Sequence, residues 1–298
     1  MLKPFRAAAT ALSLLFAQGA CAQTAPAGTT DADPASWVVK DEDTTVYLFG
    51  TVHVLKPGLS WFDEAVKSAF DRSDTLVLEM VQPDPAAMQK LVVAKGINPT
   101  GPTLTERLPA DKRAGVVKAL TDVGLPSSTY DRMKPWLAAV TVSVAPLGKL
   151  GYDPNSGAEK VLAQAAANAG KQVVGLETAE QQLGFFDGLS EPAQITFLTS
   201  SVADLPKLPQ EMDRMVGSWA RGDSDTLAAV LNDNLKDSPE VAKLLLTDRN
   251  KRWAGWIRDR MAQPGTVFVA VGAGHLAGAE SVQAQLRADG LKAERVKY

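Results

Sequence analysis

The sequence predicts an α/β fold: a mostly parallel or mixed central sheet flanked by helices, with a large helical insertion or cap. Short apolar runs of strand length recur along the chain, and Ala-, Val- and Leu-rich helical stretches separate them. Strands that alternate with helices are typical of a parallel sheet covered by helices. A helical region over residues 179–261 is too long for one crossover, so we expect it to cap one edge of the sheet.

The first half of the domain begins with a predicted hairpin, in which two strands enclose the acidic turn at residues 41–43. A helix with Ser60 as its N-cap follows, and then a buried strand that ends at Glu79. Two prolines open the next helix. The predicted elements are the strands Trp37–Lys40 and Thr45–Phe49, the helix Ser60–Asp71, the strand Thr75–Leu78, and a helix from Pro83 and Pro85 to about Lys95.

The second half is predicted to be helical up to a strand that ends at Glu177, and helical again up to the strongest strand of the chain. Gly170 caps the last helix before Glu177, and we expect the final strand to run antiparallel. The predicted elements are the helices Asp111–Val123, Pro135–Leu150 and Ser156–Ala169, the strand Lys171–Leu176, the helices of residues 179–261, the strand Thr266–Val271, a turn at Gly272–Gly274, a helix with its loop over His275–Gly290, and the strand Leu291–Lys297.

The N-terminus is predicted to be an export signal. Lys3 and Arg6 precede a short apolar run, and Ala20-Cys21-Ala22 supplies a small-residue cleavage site. We therefore assign residues 1–22 to a signal peptide, residues 23–35 to a flexible leader and residues 36–298 to the domain. A periplasmic or secreted protein follows. The alternative is a lipoprotein anchored in the membrane through Cys21, although Gln18 stands where such a signal has an aliphatic residue.

Composition excludes several classes of function. Cys21 is the single cysteine, so the cleaved chain has no disulfide, thiolate nucleophile or cysteine metal ligand. The net charge of −3 and the lack of a basic patch argue against nucleic-acid binding. No later segment is long and apolar enough for a transmembrane span. A peptide or a small molecule remains as the expected substrate or ligand, and the sequence leaves the oligomeric state open.

The two histidines of the chain end the same kind of motif. Gly50-Thr-Val-His53 follows one strand, and Gly272-Ala-Gly-His275 follows another. Ligands of open α/β sheets bind in the crevice outside the carboxyl ends of the strands. Glu79 and Glu177 also end strands. We therefore expect His53, His275 and the two glutamates to converge on one composite site.

The chemistry of such a site has two alternatives. Two neutral imidazoles and a carboxylate can hold Zn²⁺, Mn²⁺, Co²⁺ or Fe²⁺ and leave positions open for water and substrate. The same groups can transfer protons without a metal. Arg249 and Asn250, beside Trp253, are candidates for donors that stabilise an oxyanion. The chain has no H-E-x-x-H helix, so it is not a zincin.

Together these motifs resemble the TraB/GumN/PrgY family, whose superfamily includes the animal Tiki proteases. The residues that carry the resemblance are Tyr47–His53, the strand ending at Glu79, Lys134-Pro-Trp136, Gly175-Leu-Glu177, Arg249-Asn250 with Trp253, and Val271–Gly278. The resemblance covers about residues 36–298. The family pattern has two G-x-x-H motifs, a glutamate after the second core strand and a late arginine or asparagine.

The resemblance implies an exported hydrolase, with a metal-dependent peptidase as the leading hypothesis. His53, His275 and Glu79 would bind a divalent metal such as Mn²⁺, Co²⁺ or Zn²⁺, with Glu79 as ligand or general base. Arg249 or Asn250 would orient substrate, and Glu177 would orient a histidine. The alternatives are a metal-free, esterase-like hydrolase that uses His and Glu, and a non-catalytic periplasmic protein that binds a peptide or small molecule.

Overall fold

The computed structural model describes residues 29–231 and 239–298, and it confirms the predicted α/β class. Apolar runs rich in β-branched and aromatic residues form the long strands. The strands are β1 (Thr30–Asp31), β2 (Ser36–Lys40), β3 (Thr44–Thr51), β4 (Leu59–Ser60), β5 (Thr75–Met80), β6 (Gln172–Glu177), β7 (Gly265–Gly272) and β8 (Glu294–Arg295).

The main sheet is mixed and has six strands in the order β6-β5-β7-β3-β2-β8. The four strands from β6 to β3 run parallel, so their carboxyl ends meet at one edge. Strand β2 runs antiparallel to both of its neighbours, as expected for the hairpin and for the last strand. Strand β7 lies between β5 and β3, and it therefore brings the segments that follow Glu79 and Thr51 to either side of its own end.

Helices cover both faces of this sheet, as the strand sequences require. In β7, Val267, Val269 and Val271 belong to one buried cluster, and Phe268 and Ala270 belong to the other. A strand that is apolar on both faces is typical of a parallel sheet between two helical layers. The α-helices are α1 (Glu64–Arg72), α2 (Pro85–Gly96), α3 (Leu104–Arg107), α4 (Ala110–Asp122), α5 (Ser127–Tyr130), α6 (Pro135–Val144), α7 (Ala158–Asn168), α8 (Ala179–Asp187), α9 (Glu191–Asp204), α10 (Leu208–Ala220), α11 (Ser224–Leu231), α12 (Pro239–Ala242), α13 (Asp248–Arg260) and α14 (Val282–Ala288).

Several predicted boundaries were wrong. Ser60 does not cap a helix: it lies in β4, and α1 begins four residues later, after its N-cap Asp63. The helix from Pro135 ends at Val144, and a 3-10 helix follows Pro146 because proline cannot donate the next helical hydrogen bond. The last strand has two residues. His275 lies in a 3-10 helix, Ala273–Leu276, rather than in α14.

Part of the predicted flexible leader is packed against the domain. Strand β1 pairs in parallel with β4, and the side chain of Ala32 is buried. The predicted signal peptide and residues 23–28 lie outside the described residues. Within residues 29–231 and 239–298, no helix combines the length and the apolar character that crossing a membrane demands.

Candidate functional site

Strand β7 ends at Gly272, and the candidate site is built around this glycine. The Gly272 N–H donates to Oε1 of Glu79, 2.7 Å away. A Cβ at Gly272 would lie 3.0 Å from that oxygen and 3.7 Å from Nε2 of His53 and Cδ2 of His275. The three predicted side chains therefore converge where a larger residue would fill the space between them, and this explains the glycine.

The tautomer of His275 is fixed from both sides of its ring. Asn250 donates from Nδ2 to the backbone carbonyl of Glu280 at 2.6 Å, so its Oδ1 faces His275. The Nδ1–H of His275 then donates to that oxygen, 2.5 Å away. On the other side, Nη1 of Arg249 donates to Nε2 of His275 at 3.1 Å. The lone pair of Nε2 thus faces the guanidinium of Arg249, and Nε2 itself lies 3.9 Å from Oε1 of Glu79.

His53 has an equivalent partner behind its ring. Oε1 of Glu159, in the first turn of α7, lies 2.5 Å from Nδ1 of His53 at an ion-pair distance, without the in-line geometry of a hydrogen bond. The hydroxyl of Thr51 donates to the same carboxylate. Among the described residues, Nε2 of His53 has no hydrogen-bond partner. Both ring nitrogens of His53 lack a hydrogen bond, but among the described residues Nδ1 has an ion-pair partner, Glu159.

Arg249 of α13 is buried among the carboxylates and His275. Its Nη2 donates to Glu79 at 2.6 Å and to Glu177 at 2.7 Å, and its Nε donates to Glu177 at 3.0 Å. The guanidinium also lies over the Trp253 ring, 4.7 Å from the centroid. One cation is therefore paired with two buried glutamates, and buried charges require such pairing.

Glu177 contacts Arg249 rather than a histidine. Gln182 donates to Glu177 at 3.1 Å and to Glu79 at 3.3 Å, and Trp253 donates from Nε1 to Glu177 at 3.1 Å. Arg252 approaches the same carboxylate at 3.4 Å, with half of its side chain exposed. These contacts make Glu177 the anchor of Arg249.

The electrostatics of the site give each group a different charge. Burial opposes charge on His53, but Glu159 and Glu79 more than reverse this effect and raise the pKa of His53 to about 9. Burial also disfavours the Glu79 carboxylate, yet Arg249 and the two imidazoles lower the pKa of Glu79 to about 2. Burial and Arg249 lower the pKa of His275 to about 3. Without a bound metal at pH 7, His53 is charged, Glu79 is ionised and His275 is neutral.

The donors agree with a divalent metal in kind. Nε2 of His53, the ring of His275 and one carboxylate border a common space, and the outer nitrogen of each imidazole has a polar partner, as metal-ligating histidines usually have. In the present arrangement, however, Arg249 donates hydrogen bonds to Glu79 and to His275, two of the three donors. Within the described ranges, no three His, Cys, Asp or Glu side chains are grouped closely enough to enclose an ion.

A cavity of about 340 Å³ lies beside the segment that follows His53. The loop of residues 55–62 forms one wall, and Asn155, Ser156 and Val161 form the other. The second wall also leads into α7 and Glu159. Gly157 follows Ser156 and lies against the backbone of His53, because a Cβ at Gly157 would lie 2.1 Å from the backbone oxygen of His53. This volume is within the range of small-molecule and peptide side-chain sites.

The structure thus brings His53, Glu79 and His275 together around Gly272, with Arg249 hydrogen bonded to Glu79 and His275 and with Glu177 behind Arg249. Asn250 is the sixth predicted site residue, and it lies behind His275 instead of facing the space around Gly272. Glu159, Gln182 and Trp253 are site residues that the sequence pattern did not predict in these roles. The glutamate in the first turn of α7 gave no signal, because an acid there also suits the helix dipole.

The fold and the site together define an α/β protein with a buried His/Glu/Arg cluster at the carboxyl ends of parallel strands. The chain belongs to the TraB/PrgY/gumN family, whose family model matches residues 35–295. This agrees with the resemblance drawn from the two G-x-x-H motifs.

The chain is also similar to proteins that are themselves described as uncharacterized. A protein of Treponema pallidum (strain Nichols) is 24% identical over 265 residues, which cover 83% of this chain and 78% of that protein. YbaP of Escherichia coli (strain K12) is 22% identical over 242 residues, which cover 81% of this chain and 87% of YbaP, and YbaP of Shigella flexneri matches equally. No solved structure matches the chain.

Proposed function

We propose that this chain is a metal-dependent hydrolase that cleaves peptides, with His53, His275 and Glu79 as the residues that hold the ion. The observation that carries the proposal is the orientation of the two imidazoles. His53 presents Nε2 to the space beside Gly272, Nε2 of His275 lies 3.9 Å from Oε1 of Glu79, and each imidazole has a polar partner at Nδ1, Glu159 or Asn250. Such partners at Nδ1 hold the two rings in place, as the partners of metal-ligating histidines do.

The protein's own groups have distinct roles in this proposal. Asn250 and Glu159 are positioning residues, because they fix the rings without facing the substrate. A divalent ion at these donors would supply an activated water and would polarise the scissile carbonyl. Glu79 is ionised and accepts a proton. Arg249 is the nearest cationic donor for negative charge that develops on the substrate.

The cavity beside His53 supports a substrate role for this side of the site. Leu55, two residues after His53, lines it, so the cavity begins within about 7 Å of His53 along the chain. Leu59, Trp61 and Phe62 give it apolar walls, and Asn155 adds a polar group. A peptide with a large apolar side chain suits this lining.

The test combines elemental analysis with a peptide library. We expect the purified protein to bind about one divalent ion per chain and to cleave some library members, and we expect both properties to disappear in His53→Ala and His275→Ala. Glu180→Gln, which changes an exposed carboxylate of α8, is the matched control. Unchanged metal content and turnover in the two histidine variants would overturn the assignment.

A metal-free hydrolase is the second candidate, and the Glu159–His53 pair favours it. A carboxylate at Nδ1 orients an imidazole for proton transfer at Nε2 as well as for metal binding. This candidate predicts turnover that resists chelators and is lost in Glu159→Gln and Glu79→Gln. Ligand binding without turnover in the same assays would instead identify a non-catalytic binding protein.

A further inference from the structure

We propose that Arg249 is an internal cation that takes the place of the metal ion in the metal-free protein and competes with it for Glu79 and His275. The inference rests on the proposed function, because it concerns the same donors. It adds a property that metal binding alone does not imply: loss of a buried arginine should strengthen metal binding.

The guanidinium of Arg249 already contacts two of the proposed metal donors. Its Nη2 donates to Glu79 at 2.6 Å, and its Nη1 donates to Nε2 of His275 at 3.1 Å. These are two of the three donors proposed for the ion. A lone pair that accepts from a guanidinium cannot at the same time bind a metal, so the two cations exclude each other at His275.

The positive charge of Arg249 also opposes binding of a metal ion. The guanidinium is fully buried between Glu79 and Glu177, where electrostatic interactions are little screened. A divalent ion on Glu79 and His275 would be adjacent to this positive group, and like charges repel strongly in such surroundings. Arg249 therefore has to give up both contacts before the ion is held well.

Glu177 provides the position to which Arg249 withdraws. It receives Nε at 3.0 Å as well as Nη2 at 2.7 Å, and Trp253 and Gln182 hold its carboxylate in place. Arg249 can leave Glu79 and His275 and remain paired with Glu177. The two glutamates thus have separate roles: Glu79 is exchanged between cations, and Glu177 retains the arginine.

Arg252 offers a matched control in the same helix. It approaches Glu177 at 3.4 Å, and its side chain is half exposed, whereas Arg249 is buried against Glu79 and His275. Removal of this charge changes the net charge of the region as Arg249→Met does. It leaves the proposed metal donors as they are.

The experiment titrates Mn²⁺ and Zn²⁺ into metal-stripped protein and follows binding by calorimetry. We expect Arg249→Met to bind the ion at least about tenfold more tightly than the unmodified protein. We expect Arg252→Met to bind within about threefold of it. An equal or lower affinity in Arg249→Met would overturn the inference while the proposed function stands. No binding in any variant, or binding that survives in His53→Ala/His275→Ala, would overturn the proposed function itself.

A double variant tests the inference even if Arg249→Met fails to fold. Arg249→Met leaves two buried carboxylates without their cation, and broken buried pairs destabilise proteins strongly. Arg249→Met/Glu177→Gln removes one of those charges and keeps Glu79. We expect this double variant to fold, as judged by circular dichroism, and to show the same gain in affinity. Unchanged affinity in the folded double variant would contradict the competition.

Discussion

Replacement of Asn250 by alanine isolates the role of the residue behind His275. The asparagine is fully buried, and it links the Nδ1–H of His275 to the backbone carbonyl of Glu280. Alanine removes both hydrogen bonds. The carbonyl of exposed Glu280 can turn to water, but the Nδ1–H of His275 is left inside the protein without an acceptor.

The magnitude follows from these two unequal losses. An unsatisfied buried donor costs about 1–3 kcal/mol, and the small cavity adds to this, so we expect a loss of about 3 kcal/mol. For a domain of this size that corresponds to a fall in Tm of about 6–12 °C. The ring also loses the partner that fixes its tautomer, so metal affinity should fall about 10–100-fold.

The assay is urea unfolding of the metal-free protein together with calorimetric titration of Mn²⁺. Asn168→Ala is the control, because this exposed asparagine accepts one hydrogen bond from Gln164 on the surface of α7. Its effect should stay within about 0.5 kcal/mol. If Asn250→Ala leaves Tm within about 1 °C and the affinity unchanged, the reasoning about the His275 tautomer is wrong.

Three further substitutions test other parts of the structure. Gly157→Ala places a Cβ 2.1 Å from the His53 carbonyl and should destabilise the protein by about 1–3 kcal/mol in urea unfolding. Gly115→Ala, in open space on the exposed side of α4, should stabilise the protein by about 0.5–1 kcal/mol. Similar effects at both positions would refute the close approach. Gly272→Ala should fill the space between the donors and weaken Mn²⁺ binding at least about tenfold with an unchanged circular dichroism spectrum; full affinity would show that the ion lies elsewhere. Val161→Trp should fill the cavity and raise KM for a cleaved peptide without a change in metal affinity, and an unaltered KM would place the substrate on another side.

The strands and the central site residues could be predicted because their signals are local. The apolar runs of β3, β5 and β7 are buried on both faces, and such runs stand out in a sequence. Once these strands are parallel neighbours, their ends must meet. The convergence of His53, Glu79 and His275 follows from that geometry alone.

Other features depend on contacts that no local pattern records. Ser60 has the residue type of a helix cap, but pairing of β4 with β1 determines its conformation. Glu159 reaches His53 from a helix that is remote in sequence. Arg249 and Asn250 are different: adjacent residues of a helix do not share a face. The sequence could therefore have shown that only one of them points towards Glu79.

The pairing of β3 with β7 has a consequence for when the site comes into existence. Thr44 pairs with Gly265, and Thr51 pairs with Gly272. A strand near the start of the domain therefore cannot pair until a strand near its end is present. Contacts this distant in sequence are slow to form. Until β7 docks, His53 and Glu79 have no common neighbour, and a chain that stops short of Gly265 contains only one of the two imidazoles. The site thus forms only when both strands are present, so a partly synthesised chain that ends before Gly265 lacks the complete site.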